Sequence, residues 1–296
     1  MAAPAEPTTH WSKKPLTLRI ISAAVLIPIV VAAVYLGHPV WDLLVAVFGV
    51  AMAWEWGRIV ARGIATRQNQ SFSYAGGPAA LIGLTTGALL MLTFRESLPP
   101  NSITEHVVWI FLAAATIFVM LPAFPRYKSS ALWFGLGLWY VLVPCAAIIV
   151  LRGDPAVGLQ QILWIVALVI AADTGAYIAG RSIGGPKLAP RISPNKTWAG
   201  LFGAMASAAI VGAITASLMD LPSVAILTVI SAGLAVIEQA GDLAESAFKR
   251  HFGVKDAGNI IPGHGGALDR VDGLIAVAAA VAGINFLIGS SVLTWL

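Results

Sequence analysis

Charged residues make up only 11% of this 296-residue chain, against 58% that are hydrophobic. The mean hydropathy is +0.84. A soluble domain carries about 25% charged residues. Half of that cannot cover a globule of this size, which excludes a soluble enzyme and a disordered chain. The net charge of +4, spread over 18 basic and 14 acidic residues, is too weak a field for a nucleic-acid binder. Cysteine is nearly absent. Cys145 alone permits no intramolecular disulfide and reads as inert packing in an apolar run. With one cysteine and no histidine pair at ligand spacing, a zinc site is not expected. No internal repeat is visible, so the inverted-repeat signature of many transporters is missing.

What is present is a series of apolar runs of the length that crosses a bilayer, about 17–25 residues each. Nine are expected: 16–36, 40–60, 77–94, 106–121, 131–151, 161–180, 198–219, 222–240 and 271–292. The first is too long for the core of a signal peptide and is read as a retained helix. With the N-terminus in the cytoplasm, 16 of the 18 Lys and Arg residues fall in inside segments, leaving Arg95 and Arg152 outside. That asymmetry fits nine spans with the C-terminus on the opposite side. The expected fold class is therefore an all-α polytopic membrane protein. A Pro/Ala/Thr-rich tail, 1–15, is read as disordered. Residues 16–160 are expected to form an N-terminal membrane half of about five spans, and residues 161–296 a C-terminal region of about four. Cytoplasmic loops are expected at 181–197 and 241–270.

Polar residues concentrate in those two loops. Five of the 14 acids lie between Asp242 and Asp272, interleaved with four bases. Asp242 and Glu245 are three apart, and Asp269 and Asp272 repeat that spacing. On helices each pair shares a face. Two such pairs joined by a Gly-rich turn can build an oxygen cage for Mg²⁺, which binds few carboxylates and keeps positions for water and phosphate. The competing reading makes them solvated helix caps. Asp173 follows the apolar run 163–172, and an ionisable group inside a span is functional by default. Glu55 and Glu238 raise the same question more weakly, Glu55 being read as an interface residue near Arg58. Lys187, Arg191, Lys196, Lys249, Arg250, Lys255 and Arg270 can hold phosphates or simply satisfy topology. Ser193, Asn195, Lys196 and Thr197 offer donors just ahead of a helix, a position that attracts anions. Gly265 and Gly266 let backbone approach a ligand. His264 reads equally as a phosphate donor or a loop fastener. Gly200, Ala204, Ala208 and Gly212 form a small-residue stripe for close helix packing.

The run from Ser246 to Asp272 resembles the signature of the phosphatidate cytidylyltransferase (CDP-diacylglycerol synthase) family. The resemblance extends to Gly241-Asp-Leu-Ala-Glu-Ser246 and Asp173-Thr-Gly-Ala-Tyr177. It also takes in Lys187-Leu-Ala-Pro190 and Ser193-Pro-Asn-Lys-Thr-Trp198. It covers about residues 171–273, while the N-terminal half is similar mainly in hydropathy. One departure is Ala199, where the family commonly has Glu or Gln.

The resemblance implies a Mg²⁺-dependent enzyme of a bacterial inner membrane, with one or two metals and its active site facing the cytoplasm. It would convert CTP and phosphatidic acid to CDP-diacylglycerol and pyrophosphate, among membrane lipids and as a homodimer. Asp242 and Asp269 would be the leading metal ligands, with Asp173, Glu245 and Asp272 as further candidates. Lys196, Lys249, Arg250, Lys255, His264 and Arg270 would neutralise phosphates. Three alternatives stand beside it: a CDP-archaeol synthase, a polyprenol kinase and a cation-coupled transporter.

Overall fold

The computed structural model describes residues 16–68, 83, 85, 87–88 and 128–295. Its elements are α1 (Leu16–Leu36), α2 (Val40–Gln68), α3 (Lys128–Arg152), α4 (Gly158–Ser182), β1 (Lys187–Ala189), β2 (Ser193–Thr197), α5 (Trp198–Leu218), α6 (Val224–His251), α7 (Leu268–Ile288) and α8 (Val292–Trp295). Among the described residues six helices are long and apolar enough to cross a membrane: Val40–Ile64, Leu132–Arg152, Gly158–Ser182, Trp198–Leu218, Val224–His251 and Leu268–Ile288. These match the second and the fifth to ninth expected spans. α1 matches the first, and its apolar part is Ile20–Leu36. The third and fourth expected spans, 77–94 and 106–121, lie outside the described residues except for four helical positions between 83 and 88.

Large apolar side chains cover the outer surface. Phe286 and Leu287 are 85% and 83% exposed. Water would not tolerate such a continuous apolar exterior, whereas lipid does. The chain is a mostly helical, polytopic membrane protein.

α5 lies between α4 and α6, and its small residues make that possible. Gly200, Ala204, Ala208, Gly212 and Ala216 are all buried. A Cβ on Gly203 would strike the Ala179 side chain and the Gly175 carbonyl, and one on Gly212 would strike Ser231 and the Leu227 carbonyl. Backbones therefore approach along the whole length of α5. Polar ties add register: Trp164 Nε1 donates to Ser231 Oγ at 3.1 Å, and Asn285 Nδ2 donates to Gln161 Oε1 at 2.8 Å. Arg152, expected on the outer side, donates from Nε to the Val34 carbonyl at 2.7 Å. A cation there satisfies the C-terminal end of α1.

Two differences from the expected all-helical layout concern the site. The segment 181–197 contains an antiparallel hairpin, with Lys187 opposite Thr197 and Ala189 opposite Ser193. Pro186, Pro190 and Pro194 remove the amides a helix would need, and the Trp198 amide closes the hairpin base onto the Pro186 carbonyl at 3.1 Å. The segment 241–270 is loop only from 252 to 267. α6 runs on to His251 and α7 begins at Leu268.

Candidate active site

α6 carries Glu238, Asp242, Glu245 and Lys249 at intervals of three and four, so one face of its cytoplasmic half is polar. α7 presents Asp269 and Asp272 in its first turns. Where the helices meet, one carboxylate oxygen each from Asp242, Glu245 and Asp272 lies within 4.8 Å of the others. Gly241 lets α7 come this close, since a Cβ there would strike the Ala276 side chain and stand 3.0 Å from the Asp272 carbonyl. Glu245 is 1% exposed, and its Oε1 has no hydrogen-bond partner. Its Oε2 lies 2.7 Å from Lys249 Nζ.

Charge is unbalanced here. The Lys249 ammonium also lies 2.7 Å from Asp269, and Lys196 pairs with Asp242 at 2.6 Å. Three carboxylates thus share two lysines, while a fourth, Asp272, has no lysine partner among the described residues and accepts from its neighbour, the Gly273 amide, at 2.9 Å. Converging carboxylates in a low-dielectric setting call for a cation. Oxygen donors with one unsatisfied buried atom suit a hard divalent ion such as Mg²⁺.

Asp269 is engaged differently from the other three. Its oxygens accept from Lys249 Nζ at 2.7 Å, from the Ala257 amide at 3.1 and 3.2 Å, and from the Gly266 amide at 3.1 Å. It ties Ala257 and Gly266 of loop 252–267 to the start of α7 and, through Lys249, to α6. Gly265 sits at φ +99°, a conformation only glycine adopts readily, with Asp269 Oδ2 3.4 Å from where a Cβ would stand.

Beside the carboxylates opens a cavity of about 510 Å³, lined by Asp173, Arg181, Asn195, Lys196, Thr197 and Asp242 among others. The β-hairpin and α4 form its walls. Thr197 Oγ1 accepts from the Gly200 amide at 3.0 Å and so caps α5. Asp173 stands beside Glu238, which is buried and accepts from Gln239 Nε2 at 2.7 Å. A second, apolar groove of about 410 Å³ runs between α1, α2 and residues 260–267. At its edge His264 Nδ1 and Ser22 Oγ share a hydrogen bond of 2.7 Å.

A model of the Cytidylyltransferase family matches residues 17–287. The chain belongs to that family. It is 40% identical over 264 residues to the phosphatidate cytidylyltransferase of Brucella suis, covering 89% of this chain and 91% of the relative. The protein of that name from Pseudomonas aeruginosa is 33% identical over 275 residues, covering 92% and 97%. That from Haemophilus influenzae is 32% identical over 287 residues, covering 87% and 94%.

In this cytidylyltransferase-family chain the remaining expected residues spread around the site. Ser193 is half-buried in β2, opposite Ala189. Lys187, Arg191 and Lys255 are exposed. Arg250 is exposed and donates to the Val254 carbonyl at 3.4 Å, and Arg270 donates from Nε to the His264 carbonyl at 2.8 Å. Gly266 does meet a close neighbour, but it is the Glu55 carboxylate.

Two residues of the N-terminal half escaped the sequence reading as members of this region. Tyr140 of α3 has a buried hydroxyl with no hydrogen-bond partner, within electrostatic reach of Glu245, Asp272 and Asp242. Glu55 of α2 is 0% exposed and reaches the start of α7. A charged residue inside an apolar run was the signal for Glu55; Tyr140 offered none.

Proposed function

We propose that this chain transfers the cytidylyl group of CTP to phosphatidic acid, giving CDP-diacylglycerol and pyrophosphate. The observation that carries the proposal is the Asp242–Glu245–Asp272 cluster opening beside a cavity lined by Lys196, Asn195 and Thr197. Membership of the Cytidylyltransferase family and the names of the similar proteins support the choice of CTP and phosphatidate.

The nucleophile is the lipid phosphate, already ionised at neutral pH, so no Ser, Cys or His nucleophile is required. Its oxygen bonds to the α-phosphorus of CTP, the bond from that phosphorus to the bridging oxygen breaks, and pyrophosphate leaves with the electron pair. The barrier lies in bringing two polyanions together, and catalysis is positioning plus charge neutralisation. Asp242, Glu245 and Asp272 would hold Mg²⁺, which supplies that neutralisation when bound. Lys196 lines the cavity beside its partner Asp242 and can exchange that carboxylate for a phosphate. Asn195 donates from the hairpin, and Asp269 keeps the signature loop closed over the helix ends. The apolar groove beside α1 and α2 supports lateral access for the lipid.

The proposal includes nine spans in a bacterial inner membrane, with N-terminus and site in the cytoplasm, supported by the distribution of Lys and Arg. The test is product formation by detergent-solubilised protein given CTP, Mg²⁺ and one acceptor at a time. CDP-diacylglycerol from phosphatidate is expected. A preference for an archaeol phosphate, or phosphorylation of a polyprenol, would assign a different lipid. Cation flux without any dependence on CTP would replace the enzyme with a transporter.

A further inference from the structure

α7 is the helix that presents Asp269 and Asp272, yet it lacks a cap of its own. Its N-cap residue is Ala267, which makes no side-chain hydrogen bond to the helix. α5 and α6 are capped by their own Thr197 and Ser223. At α7 the acceptor comes from the opposite half of the chain: Glu55 Oε2 accepts from the Leu268 amide at 2.9 Å, with the Ala267 amide beside the same carboxylate. A negative group at a helix N-terminus is favourable on both hydrogen-bond and dipole grounds.

The loop ahead of α7 is shaped to admit this carboxylate. A Cβ on Gly266 would stand 2.7 Å from both Glu55 oxygens, and one on Gly258 would strike Oε1. Neither glycine has a positive φ, so space rather than backbone conformation accounts for both. Oε1 is buried with no hydrogen-bond partner. Burying a carboxylate inside a membrane protein is costly, and an apolar side chain would pack α2 without that cost.

We infer that Glu55 is a positioning residue: it fixes the first turn of α7 and the loop before it, and so sets where Asp269 and Asp272 stand. The route of its influence is short. Leu268 precedes Asp269, and the amide of Gly266 donates to Asp269, which shares Lys249 with Glu245. The inference rests on the proposed reaction for its kinetic consequence but not for its structural one.

The experiment compares wild type with Glu55→Gln, Glu55→Ala and Gly266→Ala in the full-length protein. Gln keeps an acceptor for Leu268 and loses the charge; the Gly266 variant displaces the carboxylate while keeping Glu55 in the sequence. In wild type, hydrogen exchange over residues 254–272 should be slow. It should speed up in Glu55→Ala and Gly266→Ala, and less in Glu55→Gln. The Mg²⁺ concentration for half-maximal rate should rise by about tenfold or more in the Ala variants, with kcat falling more than the KM for CTP changes. Glu55→Gln should melt close to wild type while still showing the Mg²⁺ shift. Unchanged exchange over 254–272 in Glu55→Ala would overturn the inference, as would unchanged Mg²⁺ dependence in a folded Glu55→Gln. If wild type makes no CDP-diacylglycerol, the proposed reaction fails, and the exchange data alone then decide the role of Glu55.

Discussion

Asp242 and Asp269 look alike as letters: each begins an acid pair at a spacing of three. Their surroundings separate them. Asp242 is bound by Lys196 and accepts from Ser246 Oγ at 3.2 Å, and it turns toward Glu245 and Asp272. Asp269 spends its oxygens on two loop amides and Lys249. Spacing reports which face an acid occupies, but not which loop amide will reach it, so this division was not legible beforehand. Asn at position 269 would turn an amide donor toward an ammonium or a backbone N–H. Asp269→Asn should lower turnover by about 10- to 100-fold and speed hydrogen exchange at the Ala257 and Gly266 amides. Wild-type turnover with both amides still protected would refute the fastening role.

At the scale of elements, the parts set by periodicity were readable. The i, i+3 acid pairs do lie on helices, because α6 continues to His251 and α7 starts one residue before Asp269. The small-residue stripe does pack against neighbouring backbones. The β-hairpin was missed: three prolines announce that a helix stops, but say nothing of which strands then pair. The cap on α7 was missed for a different reason, since its donor and acceptor are 213 residues apart and no local pattern links them. The packing of α4 on α5 gives a clean test. Gly203→Ala gains roughly 0.5–1 kcal/mol of helix propensity but meets the Ala179 side chain and the Gly175 carbonyl. Overpacking of that kind costs about 1–3 kcal/mol and should win. A lower thermal midpoint in detergent is expected, and an unchanged or higher one would show that the two helices slide apart freely.

At the scale of the molecule, an apolar chain with few charges brings Asp242, Glu245 and Asp272 together where α6 meets α7. The proposed topology would account for most of the bases. The C-terminal half was legible through its motif blocks. The N-terminal half read mainly as hydropathy, although Glu55 and Tyr140 bring it to the back of the site; partner geometry, which hydropathy does not encode, gives them that place. The central claim is that the Asp242–Glu245–Asp272 cluster serves the transfer of cytidylyl groups to a lipid phosphate. The most direct measurement is Mg²⁺-dependent CDP-diacylglycerol formation by purified Asp242→Asn beside wild type, at matched helical content. A loss of about 100-fold, with a raised Mg²⁺ requirement in any residual activity, is expected. Wild-type turnover at the wild-type Mg²⁺ requirement would contradict it.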